Sequence, residues 1–361
     1  MKLFTIGPVE MYPSTRSIRE KGFVHFRTDE FSALVKNSLN RLSQLLGNST
    51  ENSLIYLSAS GTAAMEATVE NCVGAEDKVL VINGGAFGHR FCELLKYHNK
   101  NYDSIDLKWN ETLTQKHLDK YDNAQYTMLF VNLHETHTGQ LYNIQMLSNF
   151  CKRNNLLLVV DAISTFLADE YDMEKYGIDL TIISSQKGLC LSPGMSFVSF
   201  SKRMIEKVTA NQLTASKYFD FKDYLTNIPR GQTPYTPPVC VMYELADMLN
   251  IIEQEGGKNQ RLKNVQEKCH YFRTKALEKG LELPKYPLSN MLTPVIIEGA
   301  NAYEVIQVLK NKYRIFVNPC GGDLASTLLR VSHIGNTNME DIDDLLKKLM
   351  ICIEEVKHNK N

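Results

Sequence analysis

Between residues 54 and 201 the chain alternates short, continuous apolar runs with longer mixed stretches. The runs are LIYLSAS, KVLVING, YTMLFVNL, LLLVVDA, LTIISS and MSFVSFS. Runs this short and rich in β-branched residues read as strands, and their lack of polar alternation suits a sheet covered on both faces. The pattern predicts an α/β architecture with a mostly parallel sheet between helices. From about 202 to 240 the periodicity is irregular. Helical material from about 238 to 280 then leads into the Pro-containing stretch ELPKYPLSN. The last hundred residues hold strand-like MLTPVIIEG, YRIFVNP and TLLRVSHI, a helix from about 301 to 312 and a closing amphipathic helix over 339–357. The expected organisation is an extended segment over 1–15 packing on the lobes, a large domain over 16–260 and a smaller C-terminal α+β domain over 261–361. Only the terminal KHNKN reads as frayed.

Composition narrows the function. With 43% hydrophobic and 22% charged residues the chain is globular rather than disordered. Its formal net charge of −1 gives no overall field to draw in polyanions, so nucleic acid is not expected as a partner. Cys72, Cys92, Cys151, Cys190, Cys240, Cys269, Cys320 and Cys352 include no CxxC pair, which speaks against a zinc site and for mostly buried thiols in a reducing compartment. No apolar run approaches the ~18–20 residues of a membrane span. The expectation is a cytoplasmic protein with no membrane partner and no metal.

Open parallel sheets carry their functional groups on loops leaving the carboxyl ends of the strands. Four such loops are chemically loaded. In SASGTAAMEA a strand ends and Ser60, Gly61 and Thr62 open a helix, a start suited to an anion and equally to an ordinary hydroxyl cap. In LLLVVDAIS an apolar run ends in Asp161, costly to bury unless a cation or strong donor meets it, or a cap for the next helix. In DLTIISSQKGL, Lys187 follows a dry strand, where a depressed pKa makes an amine nucleophilic toward a carbonyl, although most lysines are simply solvated. In VNLHETHTGQL, His134 and His137 flank Glu135, but their spacing is not that of a helical HExxH metal motif.

Taken together, SASGTAAMEA, NGGAFGHR, HETHTG, VVDAIS, SSQKGL with its following PG, TPYTPP and LLRVSHIG resemble, in order and over nearly the whole chain, the class V aminotransferases of fold type I. The likeness is strongest to the alanine–glyoxylate, serine–pyruvate and 2-aminoethylphosphonate–pyruvate group. It implies pyridoxal 5′-phosphate as cofactor and a seven-stranded, mostly parallel sheet in the large domain. It also implies amino-group transfer between a small donor (alanine, serine, aspartate or 2-aminoethylphosphonate) and a small 2-oxo acid such as pyruvate or glyoxylate.

The resemblance also implies roles. Lys187 carries the cofactor and moves the proton, and Asp161 pairs with the ring nitrogen. Phe87 stacks on the ring, where relatives often use Trp. Ser60, Gly61 and Thr62 cradle the phosphate, Gln186 precedes the lysine, and Thr136 lies near the ring hydroxyl. Thr236, with Thr233 beside it, reaches a neighbouring subunit's phosphate across a homodimer with shared active sites. Arg330 grips the substrate carboxylate. His137 departs from the Ser or Thr usual in relatives and receives no role. Arg230 is either a second anion contact or a solvated surface residue. Two alternatives stay open: a cysteine desulfurase-like lyase, with Cys320 as sulfur acceptor, and a non-catalytic cofactor-binding protein on the same scaffold.

Overall fold

The computed structural model describes residues 1–123, 125–210 and 216–358. The strands are β1 (Lys2–Phe4), β2 (Leu54–Leu57), β3 (Lys78–Asn83), β4 (Asn101–Asp106), β5 (Met128–Asn132), β6 (His134–Glu135), β7 (Gln140–Leu141), β8 (Leu157–Asp161), β9 (Leu180–Ser184), β10 (Ser196–Phe200), β11 (Leu292–Ile296), β12 (Ile315–Pro319) and β13 (Leu328–Ser332). Seven of them form one sheet in the order β2-β10-β9-β8-β5-β3-β4. It is parallel from β9 to β4, and β10 runs antiparallel to both β9 and β2.

Every residue of β2, β5, β8, β9 and β10 is buried, so the sequence had no water-facing side to mark with polar residues. The edge strand β4, NYDSID, buries only Ile105, and its polar composition gave no strand signal. Two helices, Lys202–Ala210 and Phe221–Asn227, occupy the stretch read as irregular. Each is short and buries only two residues, Met204 and Val208 in the first and Phe221 and Tyr224 in the second.

Chain direction across the sheet reverses at β3, whose neighbours are β4 on one side and β5 on the other. A crevice at the carboxyl ends of the strands is expected where the order reverses. The ends of β3, β5 and β8 deliver Asn83, Asn132 and Asp161 to that edge.

A second sheet, β1-β12-β13-β11, anchors the smaller lobe. Here β1 pairs parallel with β12, and β13 is antiparallel to both β12 and β11. Pro294 sits in β11, an edge strand, where a missing N–H is tolerated. Helices Ala302–Tyr313 and Met339–His358 add Val305, Ile306, Leu309, Leu345 and Leu346 to this lobe's core. Of the KHNKN tail, Lys357 and His358 close the last helix and residues 359–361 lie outside the described residues.

The helix Gly257–Glu278 serves both cores. Val265 belongs to the large one, while Phe272 and Ala276 belong to the small one. Phe272 is fully buried. Phe272→Ala should therefore lower stability by about 3–5 kcal/mol, read as an earlier midpoint in urea unfolding.

Candidate active site

The carboxyl ends of the strands enclose a cavity of about 180 Å³. It is lined by Ser60, Gly61, Thr62, Phe87, Thr136, Asp161, Gln186 and Lys187, together with Asn132, Ile163, Ser164 and Ser184. Eight of the residues singled out in the sequence thus meet at one place. Thr236 and Arg330 do not line it.

One end is the start of helix Gly61–Cys72. Ser60 caps it, its hydroxyl accepting from the Ala63 N–H at 3.4 Å. The first N–H groups of an opening helical turn have no partner within the helix, which leaves those of Gly61 and Thr62 for an anion while that of Ala63 is held by Ser60. Gly61 leaves no room for a side chain, since a Cβ there would fall 2.4 Å from Ile163 Cδ1.

Asp161 closes β8 and is only 1% exposed. Its Oδ1 accepts from the Ile163 N–H at 2.9 Å and its Oδ2 from Asn132 Nδ2 at 2.8 Å, Asn132 being its register partner on β5. Burial outweighs these donors and pushes the carboxyl up to about 6. Lys187 follows β9. Burial, opposed by Asp161 and reinforced by the Arg330 charge, brings its amine down to about 8. The N-terminal segment lies against its stem, and a Cβ on Gly7 would stand 2.8 Å from Lys187 Cδ. The Ile6 N–H is held by Asn318 Oδ1 at 2.5 Å, which ties that segment to the small lobe.

Glu135 is a residue whose part in the site sequence reasoning missed. It is 1% exposed, and its Oε2 accepts from the N–H groups of Phe87 (3.1 Å) and Gly88 (3.2 Å) while Oε1 accepts from the His137 N–H at 3.1 Å. The carboxylate thereby fastens the Phe87 helix to the loop that carries Thr136. The available signal was the Gly84–Gly85 pair: a Cβ on Gly85 would lie 2.6 Å from the Glu135 carboxyl carbon.

Arg330, on β13, donates to the Thr136 carbonyl at 2.6 Å and to the Pro319 carbonyl, and its Nε is buried without a partner. Among the described residues no carboxylate lies within ion-pair distance of it. His137 packs beside Cys320, whose thiol donates to the His137 carbonyl at 3.3 Å. Burial pushes that thiol up from its ordinary value. His134 Nδ1 lies 2.9 Å from the Ser164 carbonyl, and burial holds the ring neutral, down to about 3. Among the described residues no His, Cys, Asp or Glu cluster could hold a metal.

Thr236 is exposed, and its carbonyl accepts from the Ser58 hydroxyl at 3.3 Å. Thr233 is buried and donates to the Tyr235 carbonyl. Arg230 is exposed and bonds Asn227.

Residues 14–345 match the family described as Aminotransferase class-V. The chain belongs to this family. It is 28% identical to an uncharacterized aminotransferase of Methanocaldococcus jannaschii, over 97% of this chain and 92% of that one. It is 24% identical to an L-aspartate–glyoxylate aminotransferase of Paracoccus denitrificans, over 92% and 86%. The crystal structure of alanine–glyoxylate aminotransferase from Nostoc sp. superposes with a TM-score of 0.92 at 27% identity, covering 97% of this chain and 94% of that one. The enzyme is an aminotransferase of fold type I, and its cofactor is pyridoxal 5′-phosphate. No helix of the described residues is long and apolar enough to cross a membrane.

The raised Asp161 pKa carries a stability consequence in the cofactor-free enzyme. The carboxyl titrates near 3.8 when unfolded and about 6 when folded, so ionisation is penalised in the fold and stability declines as pH rises from about 4 to 6. Asp161→Asn removes that penalty, although its single oxygen can satisfy only one of the two donors. At neutral pH the cofactor-free variant should be about 1–2 kcal/mol more stable than the parent in thermal unfolding, and the difference should vanish near pH 4.

Proposed function

We propose that this aminotransferase moves an amino group between a small amino donor (alanine, serine, aspartate or 2-aminoethylphosphonate) and a small 2-oxo acid such as pyruvate or glyoxylate, as a homodimer in the cytoplasm. The observation that carries the reading is the meeting of Lys187 and Asp161 in one cavity whose other end is a glycine-opened helix start. These residues fit the cofactor. Ser60, Gly61 and Thr62 offer hydroxyls and free N–H groups to a phosphate, with Gln186 beside them, and Phe87 offers an aromatic face to the ring. Thr136 offers a hydroxyl near the ring oxygen. When bound, the cofactor supplies an electron sink for charge developing at the substrate Cα.

Asp161 would hold a proton on the ring nitrogen by charge, and its burial would strengthen that pairing by keeping water from competing. The bonds from Asn132 and Ile163 fix the carboxylate's orientation. Lys187, its amine depressed toward neutral pH, would hold the cofactor through its Nζ and is the group placed to carry a proton at the substrate Cα. Arg330 receives the substrate carboxylate. Among the described residues no carboxylate lies within ion-pair distance of its charge, and a planar guanidinium matches a carboxylate as a two-pronged donor. The names of the Paracoccus denitrificans and Nostoc sp. relatives support glyoxylate as acceptor. The buried, raised thiol of Cys320 favours transamination over a desulfurase, which needs an accessible thiolate.

The dimer reading rests on the 232–238 loop. Thr236 faces solvent within one chain, as a residue serving a neighbouring subunit's phosphate would. Gln232 and the Thr233 carbonyl are braced by Arg27 at 2.8 and 3.0 Å, and Tyr235 stacks on Tyr218 at 4.9 Å between centroids.

Two measurements test these roles. Cofactor uptake by the cofactor-free enzyme should speed up about tenfold per pH unit below 8 and level off above it, because only the neutral Lys187 amine attacks. The visible absorbance gained on mixing with pyridoxal 5′-phosphate reads this directly, and a pH-independent rate would remove Lys187 from the step.

Mixing inactive Lys187→Ala subunits with inactive subunits lacking the Thr236 loop should restore part of the transaminase activity with pyruvate or glyoxylate. One of the two hybrid sites is then intact, with subunit exchange verified by tagging. A fully active monomer in light scattering would overturn the shared site.

A further inference from the structure

A second cavity, about 270 Å³, opens between the lobes and is reached by the residues that follow Lys187, since Gly188 and Cys190 line it. Its walls are unusually cationic for an interior. Arg261, on the helix shared by the two cores, is 6% exposed. It pairs with Glu255 at 3.3 Å and donates to Tyr12, but its Nε has no partner. Lys268, two turns along the same helix, donates to the Gly335 carbonyl at 3.0 Å, and among the described residues no carboxylate lies within ion-pair distance of it. Burial holds its amine down to about 8. The carboxylate of Glu267, at the rim, is exposed and faces Lys263 at 3.9 Å. That of Asp341 is engaged by Lys2 at 2.8 Å and by the Asn338 N–H at 3.0 Å.

Two further observations point to a ligand. The Thr337 hydroxyl, on the cavity wall just before helix Met339–His358, is buried with no partner. An orphaned hydroxyl beside the Met339 and Glu340 N–H groups of a long helix's first turn, where the Asp341 N–H is already held by Asn338 Oδ1, is a donor set for an anion. Leu167 and Cys190, both lining the cavity, hold left-handed backbone at φ 61° and 56°. Such conformations cost a bulky residue roughly 1–2 kcal/mol and persist where surroundings enforce them, often at ligand sites.

We propose that this cavity is a second ligand site, distinct from the one holding Lys187, which takes a small oxyanion, phosphate or a short carboxylate, between Arg261, Lys268 and the Thr337 hydroxyl. The buried Arg261 and the half-buried Lys268, with Glu255 the one carboxylate in contact among the described residues, leave a positive charge that such an anion neutralises.

The test uses the cofactor-loaded enzyme, so that the phosphate cradle at Ser60–Thr62 is already filled. It is titrated with inorganic phosphate and, separately, with acetate, at ionic strength held constant with chloride, and thermal unfolding is followed. At least one anion should raise the Tm saturably. Lys268→Met should weaken the apparent Kd about tenfold or more, whereas Arg330→Gln should leave it unchanged because Arg330 does not line this cavity. A response to phosphate alone assigns a tetrahedral anion, and one to acetate alone a carboxylate. Thr337→Val, which removes a hydroxyl already lacking a partner, carries the same test if Lys268→Met fails to fold. Absence of a saturable rise with either anion, an unchanged Kd in the variants at this cavity, or loss of the response in Arg330→Gln would overturn the proposal.

Discussion

A carboxylate at the end of a wholly buried strand is the constraint around which this enzyme is organised. Among the described residues Asp161 has two hydrogen-bond donors and no cation within ion-pair distance, and burial wins over both donors. Such an arrangement is costly in an unliganded fold and is relieved by a positively charged group in the cavity. The surroundings follow from holding that carboxylate fixed: Asn132 in register on the next strand, the backbone of Ile163 folded back over it, and Gly61 kept bare so that the start of its helix can approach Ile163. Stability at this point is exchanged for function.

A second buried carboxylate works differently. Glu135 spends both oxygens on backbone N–H groups from two loops and receives no ligand. It is a positioning device that joins the aromatic wall at Phe87 to the loop of Thr136, and the bare backbone at Gly85 is what lets it enter. The two acids thus divide the work: one presents charge to the cavity, the other uses charge to hold the cavity's shape.

The sequence made the centre of the large sheet legible because β2, β3, β5, β8, β9 and β10 are apolar almost throughout, a consequence of burial on both faces. It left β4 unread, since an edge strand has one polar side and little apolar content, and it left the helices at 202–210 and 221–227 unread because each buries only two residues. Candidate site residues at strand ends were legible one by one as chemistry, and their order along the chain connected them to a family. What no local pattern could reveal were partnerships between distant segments: Glu135 with the 84–88 turn, Gly7 against the stem of Lys187, and Arg330 between two backbone carbonyls. These depend on packing rather than on spacing.

The pairing of β1 with β12 has a consequence for the order of assembly during synthesis. Lys2 stands opposite Ile315 in the small sheet, so β1 finds its strand partner only after all the residues between them have been made. The large lobe, with its own sheet and core, can form in the meantime. The segment that lies over the stem of Lys187 hangs from β1 and from the Asn318 contact, both of which await the C-terminal third. The enzyme therefore builds its cavity early and closes it late, and a nascent chain carries an open, uncommitted lysine until its final lobe arrives.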